Sequence, residues 1–197
     1  DVYKRHAHSP ALLNLIFGSQ ITFYAFLFAP IVLVMIISSK INSLSASMAS
    51  FLFFVYSAVT GVTLSAIFLM YTQESIATTF GITAGTFGAT ALFGYVTKKD
   101  LSKMGSILFM LLIGLIIASV VNMFLKNDTM MWILTYVGIV IFVGLTAYDM
   151  QKLKKIAHSI DDDESSIAKF AVLGALTLYL DFINLFLRLL QIFGKKR

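Results

Sequence analysis

Charged side chains are scarce in this chain of 197 residues, at 13% of the total, whereas 58% of the residues are hydrophobic. Soluble domains average about 25% charged residues, so this chain has about half the charge that a globule in water carries. The shortage argues against a soluble enzyme, a nucleic-acid-binding domain and a disordered protein. The net charge of +5 does not indicate nucleic acid either, because the basic residues lie in short clusters between apolar runs, as at membrane flanks.

Cysteine is absent, which excludes disulfides, thiolate metal sites and cysteine nucleophiles. The three histidines have no metal-ligand spacing, and the sequence has no Ser-His-Asp constellation, phosphate loop or HExxH motif. Two aspartates, Asp149 and Asp181, lie at or within apolar runs, as in intramembrane aspartyl proteases. The GxGD motif of such enzymes is missing around Asp181. We therefore expect a protein that is not an enzyme and that needs no cofactor.

Long apolar runs dominate what is present, and there are six of them. They span about 11–37, 48–70, 75–97, 104–125, 129–149 and 166–193, and we expect the fifth helix to continue past its apolar run to about 156. A bilayer core of roughly 30 Å needs about 20 apolar residues in a helix, so every run is long enough to cross it. Because helices satisfy their own backbone polar groups, the runs predict an all-α polytopic membrane protein. We expect residues 1–197 to form one helical bundle domain of six transmembrane helices.

The lysines indicate how the chain is oriented in the membrane. The loops after the first, third and fifth runs carry Lys40, Lys98, Lys99, Lys103, Lys152, Lys154 and Lys155, whereas the other two loops carry only Lys126. The positive-inside rule places the lysine-rich loops in the cytoplasm. Both ends of the chain then lie outside, although the C-terminus is basic. An outside start suggests a further helix upstream of residue 1.

The last run contains a polar stripe. Its polar residues are Thr177, Asp181, Asn184, Arg188 and Gln191, spaced by four, three, four and three residues, which places them on one helix face. A charge at the bilayer centre costs at least ~2.5–3.5 kcal/mol, so the stripe should face protein or a water-filled cavity. Because the other faces are apolar, this helix is expected to be central. The simpler alternative is that Asp181 and Arg188 neutralise each other, with Asn184 as a bridge.

Asp149 is a second acid within the membrane, near the cytoplasmic end of the fifth run. It could lie among the headgroups and pair with Lys152, three residues on along the same helix face. Alternatively, it could meet Asp181, and two carboxyl groups in low dielectric would share one proton and titrate as a unit. Loss of that proton would make the carboxylates repel each other or bind a hard cation such as calcium.

Separately, the GxxxG spacing of Gly81 and Gly85 predicts close helix packing.

Four segments carry a resemblance to a known family. They are TGVTLS at 60–65, KKDLS at 98–102, GLTAYDMQKLK at 144–154 and GALTLYLDFINLF at 174–186. From about residue 12 to its end, the chain resembles the Bax inhibitor (transmembrane BAX-inhibitor-motif) family, and its bacterial members most. The resemblance implies a fold of seven helices, six of them in this sequence, arranged in two three-helix layers around a central C-terminal helix.

The same resemblance implies a pH-sensitive calcium leak channel in a bacterial plasma (inner) membrane. Asp149 and Asp181 would be its proton sensor and gate and would bind calcium transiently, with Thr177, Asn184, Arg188 and Gln191 lining the pore. Family members often carry a basic cluster after the second helix, whereas this chain has only Lys40 there, so a latch for the pair either uses Lys40 or is absent. Glu74, in a short outer loop, is either solvated or collects cations at a pore mouth.

Two other functions remain open from the sequence. Some bacterial members of the family are linked to a membrane-bound AAA protease, so this chain could be a non-conducting membrane modulator of such a partner. A proton-coupled antiporter is the other alternative. Neither is expected to bind nucleic acid.

Overall fold

The computed structural model describes residues 19–41, 43–65, 67–159 and 164–197, and these are helical almost throughout. Six long helices follow one another: α1 Gln20–Lys40, α2 Ala46–Leu64, α3 Gln73–Val96, α4 Ser102–Leu125, α5 Asp128–Ala157 and α6 Glu164–Phe193. No β-strand occurs among the described residues. The all-α prediction is confirmed. Residues 11–19, the first nine of the first predicted run, precede α1, and residues 11–18 lie outside the described part.

Five helical segments are long and apolar enough to cross a membrane: Ala46–Met70, Gln73–Val96, Ser102–Leu125, Asp128–Ala157 and Glu164–Phe193. Large apolar side chains cover their exposed faces; on α4, for example, Phe109 is 59% and Phe124 is 76% exposed. A soluble protein rarely exposes such continuous apolar surface, whereas a lipid-facing helix requires it. The chain is therefore an integral membrane protein, as its apolar runs predict.

The second predicted run is interrupted. α2 ends at Leu64, and only a single further turn, Ile67–Met70, remains helical before α3. The Ser65 backbone N–H donates to the carbonyl of Val62 at 3.1 Å, and its hydroxyl donates to the same carbonyl at 2.6 Å. The Ser65 hydroxyl thus bonds the carbonyl of Val62 in the last turn of α2.

The described residues group into two compact units. The first contains residues up to 73 together with 164–176 and 196–197, and the second contains 74–159 and 177–195. Within the first unit, α1 packs against α2. The C-terminal residues also belong to it, because Lys196 pairs with Tyr71 in an antiparallel bridge and the Arg197 N–H donates to the carbonyl of Met70 at 3.0 Å.

The second unit is built around α5. Its core combines leucines of α4 and α6 with Leu134, Ile141, Phe142 and Leu145 of α5. Residues 177–193 of α6 also meet α3, where the ring of Phe182 lies 5.5 Å from that of Phe87. This half of α6 therefore has α3, α4 and α5 as neighbours, as expected for a helix with a protected polar stripe.

Candidate functional site

A cavity of about 770 Å³ lies between α4, α5 and the C-terminal half of α6 in the second unit. Its apolar lining comes mainly from α4, including Phe109, Met110 and Ile116. The polar lining comes from Ser106, Ser119, Tyr148, Asp149, Lys152, Thr177, Asp181, Asn184 and Arg188. Besides Tyr148, the cavity therefore holds two acidic and two basic side chains within a membrane-spanning part of the chain.

Most of the polar stripe of α6 faces this cavity. Thr177, Asp181, Asn184 and Arg188 all line it, because steps of three and four residues return to the same helix face. Asn184 donates from Nδ2 to the carbonyl of Leu180 at 2.8 Å. Gln191 does not line the cavity; its Oε1 instead accepts a hydrogen bond of 2.6 Å from the Thr135 hydroxyl on α5.

Asp149 and Asp181 meet in the cavity, and their carboxyl groups are in hydrogen-bond contact. Asp181 is only 5% exposed, and no N–H or O–H group of the described residues donates to its buried Oδ2. Asp149 is half-buried, nearer the end of α5. Since a carboxylate carries no donor, a hydrogen bond between two carboxyl groups needs a proton on one of them. The arrangement therefore allows the pair to hold one proton between its two carboxyl groups.

Two cationic side chains line the same cavity. Lys152 attracts the Asp149 carboxylate but forms no salt bridge with it. The Nζ of Lys152 lies 6.0 Å from the centre of the Tyr148 ring. The Arg188 side chain packs over Gly138, where a Cβ would come within 3.0 Å of its Nε. Arg188 forms no salt bridge with a described acid, so the sequence alternative of local neutralisation by Asp181 finds no support in these contacts.

Lys40 and Glu74 do not line the cavity. Lys40 is the exposed last residue of α1, and its carbonyl accepts hydrogen bonds from Ser43 and Leu44. Glu74 is exposed in the first turn of α3, where the helix dipole favours a negative charge. The roles expected for them, a latch and a pore mouth, stay predictions.

Gln151 is a structural residue that the sequence did not single out. It is 6% exposed, and both ends of its amide hold the loop between α3 and α4. Its Oε1 accepts from the Leu101 N–H at 2.9 Å, and its Nε2 donates to the carbonyl of Lys99 at 2.8 Å. No motif distinguishes this glutamine from its exposed neighbour Lys152, so only the tertiary contacts reveal it.

Fold and site together define a polytopic membrane protein with a carboxyl pair in a cavity between its helices. The family model described as Inhibitor of apoptosis-promoting Bax1 matches residues 6–197. The chain belongs to this Bax inhibitor family, and the resemblance seen in its motifs is confirmed.

Bacterial proteins of the same kind are similar over most of their length. The inner membrane protein YbhL of Escherichia coli K12 is 53% identical over 97% of this chain and 82% of its own length. An uncharacterized protein of Borreliella burgdorferi is 49% identical over 93% of this chain and 79% of its own. An uncharacterized membrane protein of Streptococcus pyogenes serotype M1 is 34% identical over the same shares. The first relative's name agrees with the inner-membrane location predicted from the sequence.

Proposed function

We propose that this protein is a pH-sensitive cation leak channel of the bacterial inner membrane, with calcium as the permeant ion. Protonation of the pair Asp149 and Asp181 gates it, and the protein is not an enzyme. The observation that carries the proposal is the hydrogen-bond contact between these two carboxyl groups inside a cavity of about 770 Å³. No cofactor takes part, and calcium is the transported ion.

In the closed state one proton lies between the two carboxyl groups and joins α5 to α6. When that proton leaves, two carboxylates face each other, and unit charges 4 Å apart repel by about 4 kcal/mol at an effective dielectric constant of about 20. This repulsion favours either separation of the helices or capture of a hard cation by the carboxylate oxygens. Thr177, Asn184 and Ser119 supply further oxygens along the same cavity. Flux is therefore expected to rise as the pH rises.

Calcium entry into dye-loaded proteoliposomes tests the proposal across about pH 5 to 8, the range over which the pair is expected to act. Wild type is compared with Asp181→Asn and Asp149→Asn, which keep the side-chain shape and remove the shared proton. Both variants should lose the pH dependence, because an amide donates to the remaining carboxylate at every pH. Asp128→Asn is the matched control, since it removes an exposed acid outside the cavity.

Histidine is the side chain whose unperturbed charge changes in the same pH range. A variant with His6, His8 and His158 all replaced by Gln should therefore retain the pH dependence of the wild type. If this variant loses it while Asp181→Asn keeps it, the carboxyl pair is not the sensor.

The alternatives give different results in the same vesicles. A folded wild type that passes no calcium at any pH overturns the leak and leaves a non-conducting modulator of a partner, such as a membrane-bound AAA protease. An antiporter exchanges calcium for protons, so a pH difference across the membrane drives its calcium flux, whereas a leak passes calcium down its gradient without one.

A further inference from the structure

A second, smaller cavity of about 390 Å³ lies at the end of the second unit where α3 and α5 end and α4 begins. We call it the lysine cradle and define it by Lys98, Lys99, Asp100, Lys154, Lys155 and His158. It lies at the lysine-rich end that the positive-inside rule assigns to the cytoplasm. The function proposed above makes no use of it.

The loop that forms the cradle is held in one conformation by hydrogen bonds. Gln151 binds the backbone on both sides of Asp100, at Lys99 and Leu101. The Thr97 hydroxyl accepts from the Lys99 N–H at 3.3 Å. Asp100 Oδ1 accepts from the Ser102 N–H and hydroxyl at 3.2 and 2.8 Å, at the start of α4. The lysines of the loop are therefore presented on a built scaffold.

The charges of the cradle do not balance. Among the described residues that line it, four lysines against one aspartate leave three positive charges in excess. Lys155 is paired with Asp100 at 2.7 Å, and its hydrogen bond, with those of Ser102, lowers the pKa of the Asp100 carboxyl to about 2. Lys154 donates to the carbonyl of Tyr95 at 2.8 Å. Lys98 and Lys99 are exposed, and the described residues offer no acid to either of them.

The surroundings of the cradle indicate where its ligand comes from. Directly before it, Phe93, Tyr95 and Val96 at the end of α3 are 51–58% exposed. Lys154 also lies 4.7 Å above the ring of Tyr95. Exposed aromatic and apolar residues followed by lysines are typical of the boundary between acyl chains and headgroups. Basic pockets between transmembrane helices on this side of a membrane bind anionic lipid headgroups.

We propose that the lysine cradle binds the phosphate of an anionic phospholipid headgroup, with Lys98 and Lys99 as its main ligands. Their ammonium groups act as point charges toward the phosphate oxygens. Phe93 and Val96 then lie beside the acyl chains of the same lipid. This inference goes beyond the leak and does not depend on it.

The test measures binding of phosphatidylglycerol to the purified full chain by native mass spectrometry, with phosphatidylcholine as the zwitterionic reference. The double variant Lys98→Gln with Lys99→Gln should bind phosphatidylglycerol roughly tenfold or more weakly, since each lysine near the surface contributes to anionic lipid binding. The charge-conserving pair Lys98→Arg with Lys99→Arg should keep most of the affinity. The matched control, Lys126→Gln with Lys195→Gln, removes two exposed lysines outside the cradle and should bind as the wild type does.

Three results would overturn the proposal. The first is equal affinity of the Lys98/Lys99 double glutamine variant and the wild type, with unchanged helical circular dichroism. The second is equal retention of phosphatidylcholine and phosphatidylglycerol by the wild type. The third is binding of inorganic phosphate that displaces the lipid, which would identify a soluble phosphate rather than a headgroup as the ligand.

Discussion

Gly94, on α3, is buried where the backbones of α3 and α5 come close together. A Cβ at this position would lie 2.8 Å from the carbonyl carbon of Ala147 and nearer still to its oxygen. Neither helix backbone can move away cheaply, because Ala147 is itself only 3% exposed. The absence of a side chain at Gly94 is therefore a condition for this helix contact.

We expect Gly94→Ala to destabilise the protein by about 1–3 kcal/mol, the usual cost of overpacking, or more because the clash is with backbone. The measurement is the thermal unfolding midpoint of the detergent-solubilised protein. Gly88→Ala is the matched control on the same helix, since no described atom beyond its own stretch of helix lies within 4 Å of its Cβ position. Equal midpoints for the two variants would contradict the close contact.

Arg188 places a positive charge in the cavity without an acidic partner among the described residues. If the cavity is a cation pathway, this charge opposes a divalent ion, so Arg188→Gln should increase calcium flux severalfold at high pH. The flux assay measures this directly, with Arg197→Gln as a control that removes an exposed arginine. A flux that is unchanged or lower in Arg188→Gln would place the pathway elsewhere.

At the scale of elements, α5 links the cavity to the loop between α3 and α4. Asp149 and Gln151 are two residues apart on it, and the first contacts Asp181 while the second holds the loop. A rotation of α5 that separates the carboxyl groups would therefore also strain the two hydrogen bonds of Gln151.

Gln151→Leu removes both of these hydrogen bonds and leaves the Leu101 N–H and the Lys99 carbonyl unpaired. We expect a loss of about 1–3 kcal/mol in stability and faster amide hydrogen exchange in 97–101. Gln73→Leu is the control, because that glutamine is exposed at the start of α3. Unchanged exchange in the loop would show that its conformation does not depend on Gln151.

At the scale of the whole molecule, the pH response should separate into two ranges. The carboxyl pair is expected to act between about pH 5 and 8, and the Asp100 ion pair is lost only below about pH 4. The lowered pKa of Asp100, about 2 against an ordinary 3.8, means that its ion pair contributes stability above the ordinary value. This contribution is lost as the pH falls from about 4 toward 2. The Asp100 pair is therefore constant between about pH 5 and 8, and it cannot cause a gating change there.

Thermal unfolding of wild type and Asp100→Asn across the acid range measures this contribution. The difference between their midpoints should be small, because surface ion pairs contribute little, and it should be constant above about pH 5. It should shrink as the pH falls below about 4. A difference that varies between about pH 5 and 8 would mean that Asp100 takes part in the neutral-range response after all.

The helices were largely predictable from the sequence because span length and apolarity are local properties. The predicted helices 104–125 and 129–156 agree within two residues with α4, Ser102–Leu125, and α5, Asp128–Ala157. Helical periodicity also placed Thr177, Asp181, Asn184 and Arg188 on one face, which lines the cavity. The break at Ser65 was not predictable, because a serine in an apolar run does not by itself end a helix.

The sequence by itself determined the membrane class, the positions of most helices and the polar stripe, since each depends on residues within one helix. Tertiary structure alone decided that Asp149 meets Asp181, that Gln191 turns to Thr135, and that Gln151 holds a loop 50 residues away. It also decided that the close helix contact is at Gly94, whereas Gly81 and Gly85, the GxxxG pair, have no described atom of another element within 4 Å of their Cβ positions. The rotation of each helix about its axis is set by packing against distant segments, and no local pattern encodes it.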